Sequence, residues 1–162
     1  MEFSDWIAIY NLLHQYPRCA DKGDFEGVGK FHAHAKIGLV GGEQAEPAGA
    51  EDAAERYRNI VRKFSGRGTP RTRHVLSNIV ITDDGPNSVK SESYLTVFQQ
   101  TENLALQPIA SGTCFDRFEK VDGHWRLTER LEDVELLGEL SEHLLGDGAE
   151  MLRSHVALQS KG

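Results

Sequence analysis

His74 is the residue in this chain best suited to chemistry. It stands at the start of a stretch, Arg71 to Thr82, whose apolar residues alternate. Neutral imidazole is the natural general base near pH 7. A carboxylate on its second ring nitrogen would fix the tautomer and stabilise the imidazolium. Asp21, where the first helical segment ends, can supply it if that helix end lies over the start of the strand. Such a pair can remove a proton next to a carbonyl or leaving group, which opens β-elimination without metal or cofactor. On residue types alone, a half-buried strand histidine and a turn aspartate are the commoner arrangement. Tyr16 can donate a hydrogen bond to a substrate carbonyl or hydroxyl, or pack beside Pro17. Arg130 shares a strand face with Arg126 and Thr128. Its planar fork suits a carboxylate or developing negative charge, or a surface ion pair with Glu129, Glu132 or Asp133. Asn78, Tyr94, Phe98 and Phe115 can line a pocket or belong to the core.

Other chemistries have less support. His32 and His34 lie two apart, a spacing that serves metals when both point the same way, but no third ligand is near, so no metal site is expected. His14, His124, His143 and His155 read as solvated helix or turn residues. Cys19 has no activating neighbour and reads as packing. Phosphate-loop, dinucleotide and Gly-x-Ser-x-Gly signatures are absent, and no cofactor is expected.

The elements that must position these groups follow from periodicity. Trp6, Ile9, Tyr10, Leu13, Pro17 and Ala20 recur at helical spacing, with Ser4 or Asp5 as N-cap and Pro17 expected to kink or loosen the last turns. Asp24 can cap a second helix through Phe31, after the turn Asp21-Lys22-Gly23-Asp24. His34 to Val40 reads as a strand, residues 43–49 as a loop, and Glu51 to Phe64 as a helix with one apolar stripe. Arg71 to Thr82, Ser88 to Thr101, Leu106 to Val121 and His124 to Leu137 carry the period of strands. Asp122-Gly123 is a tight-hairpin signal and Gly112 a candidate bend or bulge. Short turns make these strands antiparallel. From Glu139 onward a helical tail is expected, interrupted at Gly146-Asp147-Gly148. The layout is α+β: helices over one face of a curved antiparallel sheet, leaving an open cone for a small ligand.

At 162 residues the chain suits one domain with a core of its own. A formal charge of −7 argues against a nucleic-acid partner. No apolar run approaches a membrane span, and the first residues do not read as a secretory signal. Two unpaired cysteines fit a reducing, cytoplasmic setting.

Several stretches, in this order and spacing, carry a family likeness: Ala20-Asp21-Lys22-Gly23-Asp24-Phe25, Gly49-Ala50-Glu51-Asp52-Ala53, Thr72-Arg73-His74-Val75-Leu76-Ser77-Asn78, and Asp116 through Leu127. The chain to about Leu137 resembles the SnoaL-like branch of the nuclear transport factor 2 superfamily. That resemblance implies a cone-shaped, cystatin-like barrel over residues 1–138. Residues 139–162 then form a helical tail of the same domain or of its oligomer interface. Scytalone dehydratase, bile acid 7α-dehydratase and hexachlorocyclohexane dehydrochlorinase share an aspartate–histidine dyad, which falls on Asp21 and His74 here. Tyr16, five before Asp21, matches a tyrosine of the bile acid enzyme, and Arg130 matches an arginine that lines the pocket in several relatives.

The resemblance implies a cofactor-free, dehydratase-like lyase acting on a small hydrophobic or polycyclic molecule through Asp21 and His74. Tyr16, Arg130, Asn78 and Tyr94 would bind substrate. A polyketide-type cyclase or isomerase would use the same groups. From another class come a non-catalytic ligand binder and the small subunit of an aromatic-ring dioxygenase. Relatives self-associate, and apolar residues on both faces of the Val75–Ile81 stretch favour a dimer or trimer.

Overall fold

The computed structural model describes residues 1–160. Its first helix, α1 (Phe3–Lys22), buries Ile9, Leu13, Tyr16, Pro17 and Ala20 along one side. Neither Ser4 nor Asp5 caps it. The N-cap is Glu2, without a side-chain bond. Asp5 instead accepts from Lys120 Nζ at 2.7 Å and Trp125 Nε1 at 2.8 Å, which pins the first turn to a distant hairpin. Pro17 does not end the helix, which continues to Lys22. The ring lies among the buried residues, so packing offsets the one backbone bond that proline cannot make.

Gly23 stops α1. Its φ of 68° lets the Gly23 N–H reach Ala20 O at 3.0 Å and the Asp24 N–H reach Cys19 O at 2.9 Å. A Cβ there would stand 2.4 Å from Gly68 O, so only glycine fits. Asp24 then caps α2 (Phe25–His32), accepting from Gly27 N at 2.9 Å, as its position suggests. After β1 (Lys36–Leu39), a two-residue β2 (Gln44–Ala45) occupies the expected loop. Helix α3 (Ala50–Ile60) ends earlier than its apolar stripe implied.

Four long strands follow: β3 (Thr72–Asp83), β4 (Ser88–Gln99), β5 (Gln107–Val121) and β6 (His124–Leu137). Asp122 and Gly123, both at positive φ, close the β5–β6 hairpin. The sheet order is β2-β1-β6-β5-β4-β3. The meander is antiparallel, but β1 runs parallel to β6. The sheet is therefore mixed and open, a correction to the antiparallel barrel. The connection from β1 to β6 is long enough to return the chain in parallel.

Bulges bend the sheet. The register shifts between Ser77 and Val80, between Ser111 and Gly112, and at two further places. At Gly112 a Cβ would lie 2.0 Å from Asp133 O on the next strand, which explains the glycine at this bend. The concave side holds two apolar clusters. One gathers Ile9, Leu13, Val28, Phe31, Phe118 and Leu127 under α1 and α2. The other joins Val97, Leu104 and Ile109 to Leu140, with Leu144 and Leu152 against it. The convex side leaves Val75, Val80, Tyr94 and Phe115 exposed.

The tail departs from expectation. Residues 141–143 form turns, Leu144 makes an isolated antiparallel bridge to Val61, and helix α4 (Gly148–Gln159) begins only after Gly146. The turn region is tied to the chain beyond α3: Arg62 N–H donates to His143 O at 2.9 Å and Leu145 N–H to Ile60 O at 2.8 Å. Among the described residues no helix is long and apolar enough to cross a membrane.

Candidate functional site

The end of α1 meets the start of β3. Gly23 halts the helix just after Asp21, whose carboxylate faces the first residues of that strand. Asp21 Oδ1 lies 2.6 Å from His74 Nδ1. The carboxylate also accepts from His74 N–H at 3.0 and 3.1 Å and from the Thr72 hydroxyl at 2.9 Å. An ionised carboxylate can only accept, so this contact favours the tautomer of a neutral imidazole that has its proton on Nδ1 and leaves Nε2 free to accept. The side chains of His74 and Asp21 are 3% and 7% exposed, so water competes little for this contact.

His74 borders a cavity of about 190 Å³ where the two apolar clusters meet. Leu95, Val97, Val61, Leu140, Leu144 and Leu152 supply apolar wall. An apolar cavity of roughly 150 Å³ holds a benzene ring, so this one suits one ring with substituents better than a four-ring skeleton. Tyr16 and Tyr57 stand on one side, their hydroxyls 2.8 Å apart. The Tyr16 ring meets His74 edge-on, with centroids 5.7 Å apart. Burial raises both phenols well above their ordinary range, so they remain protonated donors.

Arg130 stands elsewhere than its sequence neighbours suggested. It forms no surface ion pair with Glu129, Glu132 or Asp133 and does not border the cavity. It is buried, and Asp116 grips it through Nε at 2.7 Å and Nη2 at 2.8 Å. The guanidinium also lies 4.8 Å from the Tyr16 ring centre and 5.1 Å from that of Phe31. Arg130 therefore backs the cavity wall instead of reaching a ligand. No lysine or arginine borders the cavity among the described residues.

Asn78 and Tyr94 do not reach the cavity either. The β3 bulge inserts a residue after Ser77, and Asn78 takes φ 51° within it. One extra residue reverses the alternation, so Ile79 and Ile81 turn to the core while Asn78 is exposed. Tyr94 is 47% exposed, on the convex face opposite Leu95 and Ser93. Phe115 is exposed beside it, and Phe98 is half-buried away from the cavity. His32 is buried and His34 exposed, so the two do not converge.

Three cavity groups escaped the sequence reading. Tyr57 was part of an apolar stripe. Glu132 follows Arg130 by two residues and so shares its inner face. His143, expected to be solvated, borders the cavity with its Nδ1 buried and without a partner among the described residues. Burial lowers its pKa to about 4, and His74 adds to the lowering, so at neutral pH it is an uncharged imidazole. Alternation placed Glu132 beside Arg130, but nothing local to His143 signals the cavity.

Comparison with known proteins gives the same fold. The family described as SnoaL-like domain matches residues 1–131. No curated protein matches the sequence. Among solved structures, a candidate scytalone dehydratase from Novosphingobium aromaticivorans superposes with a TM-score of 0.63 at 19% identity, covering 83% of this chain and 87% of that one. LinA superposes with a TM-score of 0.64 at 17% identity, covering 85% and 90%. The β subunit of a candidate aromatic-ring-hydroxylating dioxygenase, also from N. aromaticivorans, gives 0.62 at 21%, covering 88% and 98%. Other neighbours have the cystatin-like fold of proteins like nuclear transport factor 2, and so does this chain.

Proposed function

The chain belongs to the SnoaL-like domain family, and we propose that it is a cofactor-independent lyase that removes water or another leaving group from a small, uncharged, ring-bearing molecule. The observation that carries this reading is the 2.6 Å contact between Asp21 and a buried His74 on the wall of a mostly apolar cavity. His74 Nε2 takes the proton next to a substrate carbonyl. The Asp21 carboxylate stabilises the imidazolium that results. The Tyr16–Tyr57 hydroxyl pair donates to the carbonyl oxygen as negative charge gathers there. The electron pair left on carbon then forms the double bond and expels the leaving group on the neighbouring carbon. Without a cationic side chain on its wall, the cavity favours a neutral ketone over a carboxylate.

The test is deuterium exchange from heavy water into aryl β-hydroxy ketones of one or two rings, with olefin formation followed in parallel. His74→Ala is expected to lower both rates by about 100-fold or more, with the fold retained. Asp21→Asn should lower them too, and the double variant little further, because the two act as one unit. Near-normal turnover by His74→Ala would overturn the mechanism.

A second reading has one observation of its own. The dioxygenase β subunit covers nearly all its length on this chain, and the convex sheet face is exposed and apolar. A non-catalytic small subunit would copurify with a large iron–sulfur subunit and show no exchange.

A further inference from the structure

The lyase reading leaves one step without a donor. Hydroxide is a poor leaving group and needs a proton as its bond to carbon breaks. His74 takes its proton from the neighbouring carbon, and a hydroxyl that leaves from the opposite face of the substrate is out of its reach. The buried phenols of Tyr16 and Tyr57 and the buried thiol of Cys114 are all pushed above their ordinary range, which makes them weaker acids. His143 is neutral near pH 7.

Glu132 remains. It sits on β6 between Arg130 and Val134, facing the concave side, with Cys114 as its cross-strand neighbour. Glu132 lines the cavity, its side chain on the inner face of β6 by alternation, and none of the hydrogen bonds found among the described residues involves its carboxyl. Arg130, two residues earlier, gives Nε and Nη2 to Asp116 and makes no hydrogen bond to Glu132 among the described residues, its Nη1 being buried without a partner there. Asp133 also borders the cavity, but alternation turns its side chain to the other face. Burial raises the Glu132 carboxyl above its usual range. Arg130 on β6 and His74 on β3 pull it down, and Asp116 on β5 pushes it up. The other titratable groups around it are the Tyr16 phenol on α1, the Tyr57 phenol on α3 and the Cys114 thiol on β5.

We propose that Glu132 is a second catalytic residue, a protonated carboxyl that delivers its proton to the oxygen leaving the substrate. The role rests on the lyase reading above and assigns its missing acid. Atoms and charges balance. The C–H bond breaks toward His74 Nε2, its electron pair becomes the C=C bond, and the C–O bond breaks. The oxygen takes the Glu132 proton and leaves as water. Glu132 ends as a carboxylate and His74 as an imidazolium, and a water molecule carries the proton from one back to the other. Elimination thus needs two carboxyl groups in opposite states: Asp21 ionised against His74, Glu132 protonated at the cavity wall.

The experiment has two arms. In the first, the full chain is labelled at the glutamate carboxyl carbons and titrated by NMR beside Glu132→Gln. One glutamate is expected to titrate above all the others, and its signal to be missing from the variant. In the second, wild type and Glu132→Gln act on two probes: the aldol of acetone with benzaldehyde, and the same ketone carrying chloride in place of the hydroxyl. The variant should lose about 100-fold on water loss and only a few-fold on chloride loss, since chloride leaves without a proton. A Glu132 signal in the ordinary carboxylate range would overturn the proposal. So would equal losses on both probes, or no loss on either, and the lyase reading would stand in each case. Wild-type protein that turns over neither probe sinks the lyase reading, and the role of Glu132 with it.

Discussion

Replacing Arg130 by methionine tests whether this arginine is a structural ion or a substrate handle. The guanidinium is 1% exposed and Asp116 3%, with two hydrogen bonds of 2.7 and 2.8 Å between them. Methionine keeps much of the volume and removes the charge. Asp116 is then left ionised, buried and unpaired, a change that costs about 3–5 kcal/mol. Lost contacts with the Tyr16 and Phe31 rings add roughly 1–2 kcal/mol. For a domain of this length 1 kcal/mol moves Tm by roughly 2–4 °C, so the ion-pair loss alone should lower Tm by about 6–20 °C. Circular dichroism melts and urea titrations of Arg130→Met, Asp116→Asn and the double variant would measure it. The double variant should recover much of the loss, because no charge is left stranded. If Arg130→Met stays within about 1 kcal/mol of wild type, the burial argument fails. Loss of ligand binding in a variant of unchanged stability would make the arginine a substrate contact after all.

Three further outcomes follow from the packing. His32 is held to about 3 and His143 to about 4, both below the ordinary value mainly because of burial. The unfolded chain then binds more protons, so stability is full above about pH 6.5 and falls as pH drops toward about 4 and then about 3. Denaturant titrations across that window should show a loss of a few kcal/mol, less steep in His32→Leu; a flat profile would contradict it. Gly112→Ala should destabilise by roughly 1–3 kcal/mol, since the new methyl meets a backbone oxygen, and an unchanged midpoint would show that the bend yields freely. The exposed Val75, Val80, Tyr94 and Phe115 are expected to be covered by a second copy of the chain, so Tyr94→Lys should shift sedimentation toward monomer, whereas a wild-type monomer at micromolar concentration would refute this.

Much of the architecture is legible in the residues because the signals are local. Turn chemistry at Asp122-Gly123 and alternation in the four long strands put their limits within two residues of those found. The site is legible only where a residue's place depends on nearby backbone. Asp21 ends a helix and His74 opens a strand, so one packing contact brings them together. Asn78 escaped because a bulge depends on its partner strand, and one inserted residue reverses the parity of all that follow. Tyr94 escaped because β4 has bulky residues on both faces, so alternation does not say which one is buried. Arg130 was read against its neighbours on β6, whereas its partner comes from the register with β5, where Asp116 stands directly opposite. His143 reaches the cavity through pairing between the tail and the stretch after α3, a contact between segments far apart in the chain.

The family match stops at residue 131, yet Glu132, Leu140, His143, Leu144 and Leu152 all border the cavity. The Asp21–His74 pair and this part of the cavity wall therefore belong to different stretches of chain. Asp21 and His74 lie in the stretch that the family model matches, while part of the cavity wall lies beyond it. Drift in the tail can recut the shape of the chamber without disturbing Asp21 or His74. Exchanging the chain beyond β6 would replace Leu140, His143, Leu144 and Leu152 on the cavity wall and leave Asp21 and His74 in place.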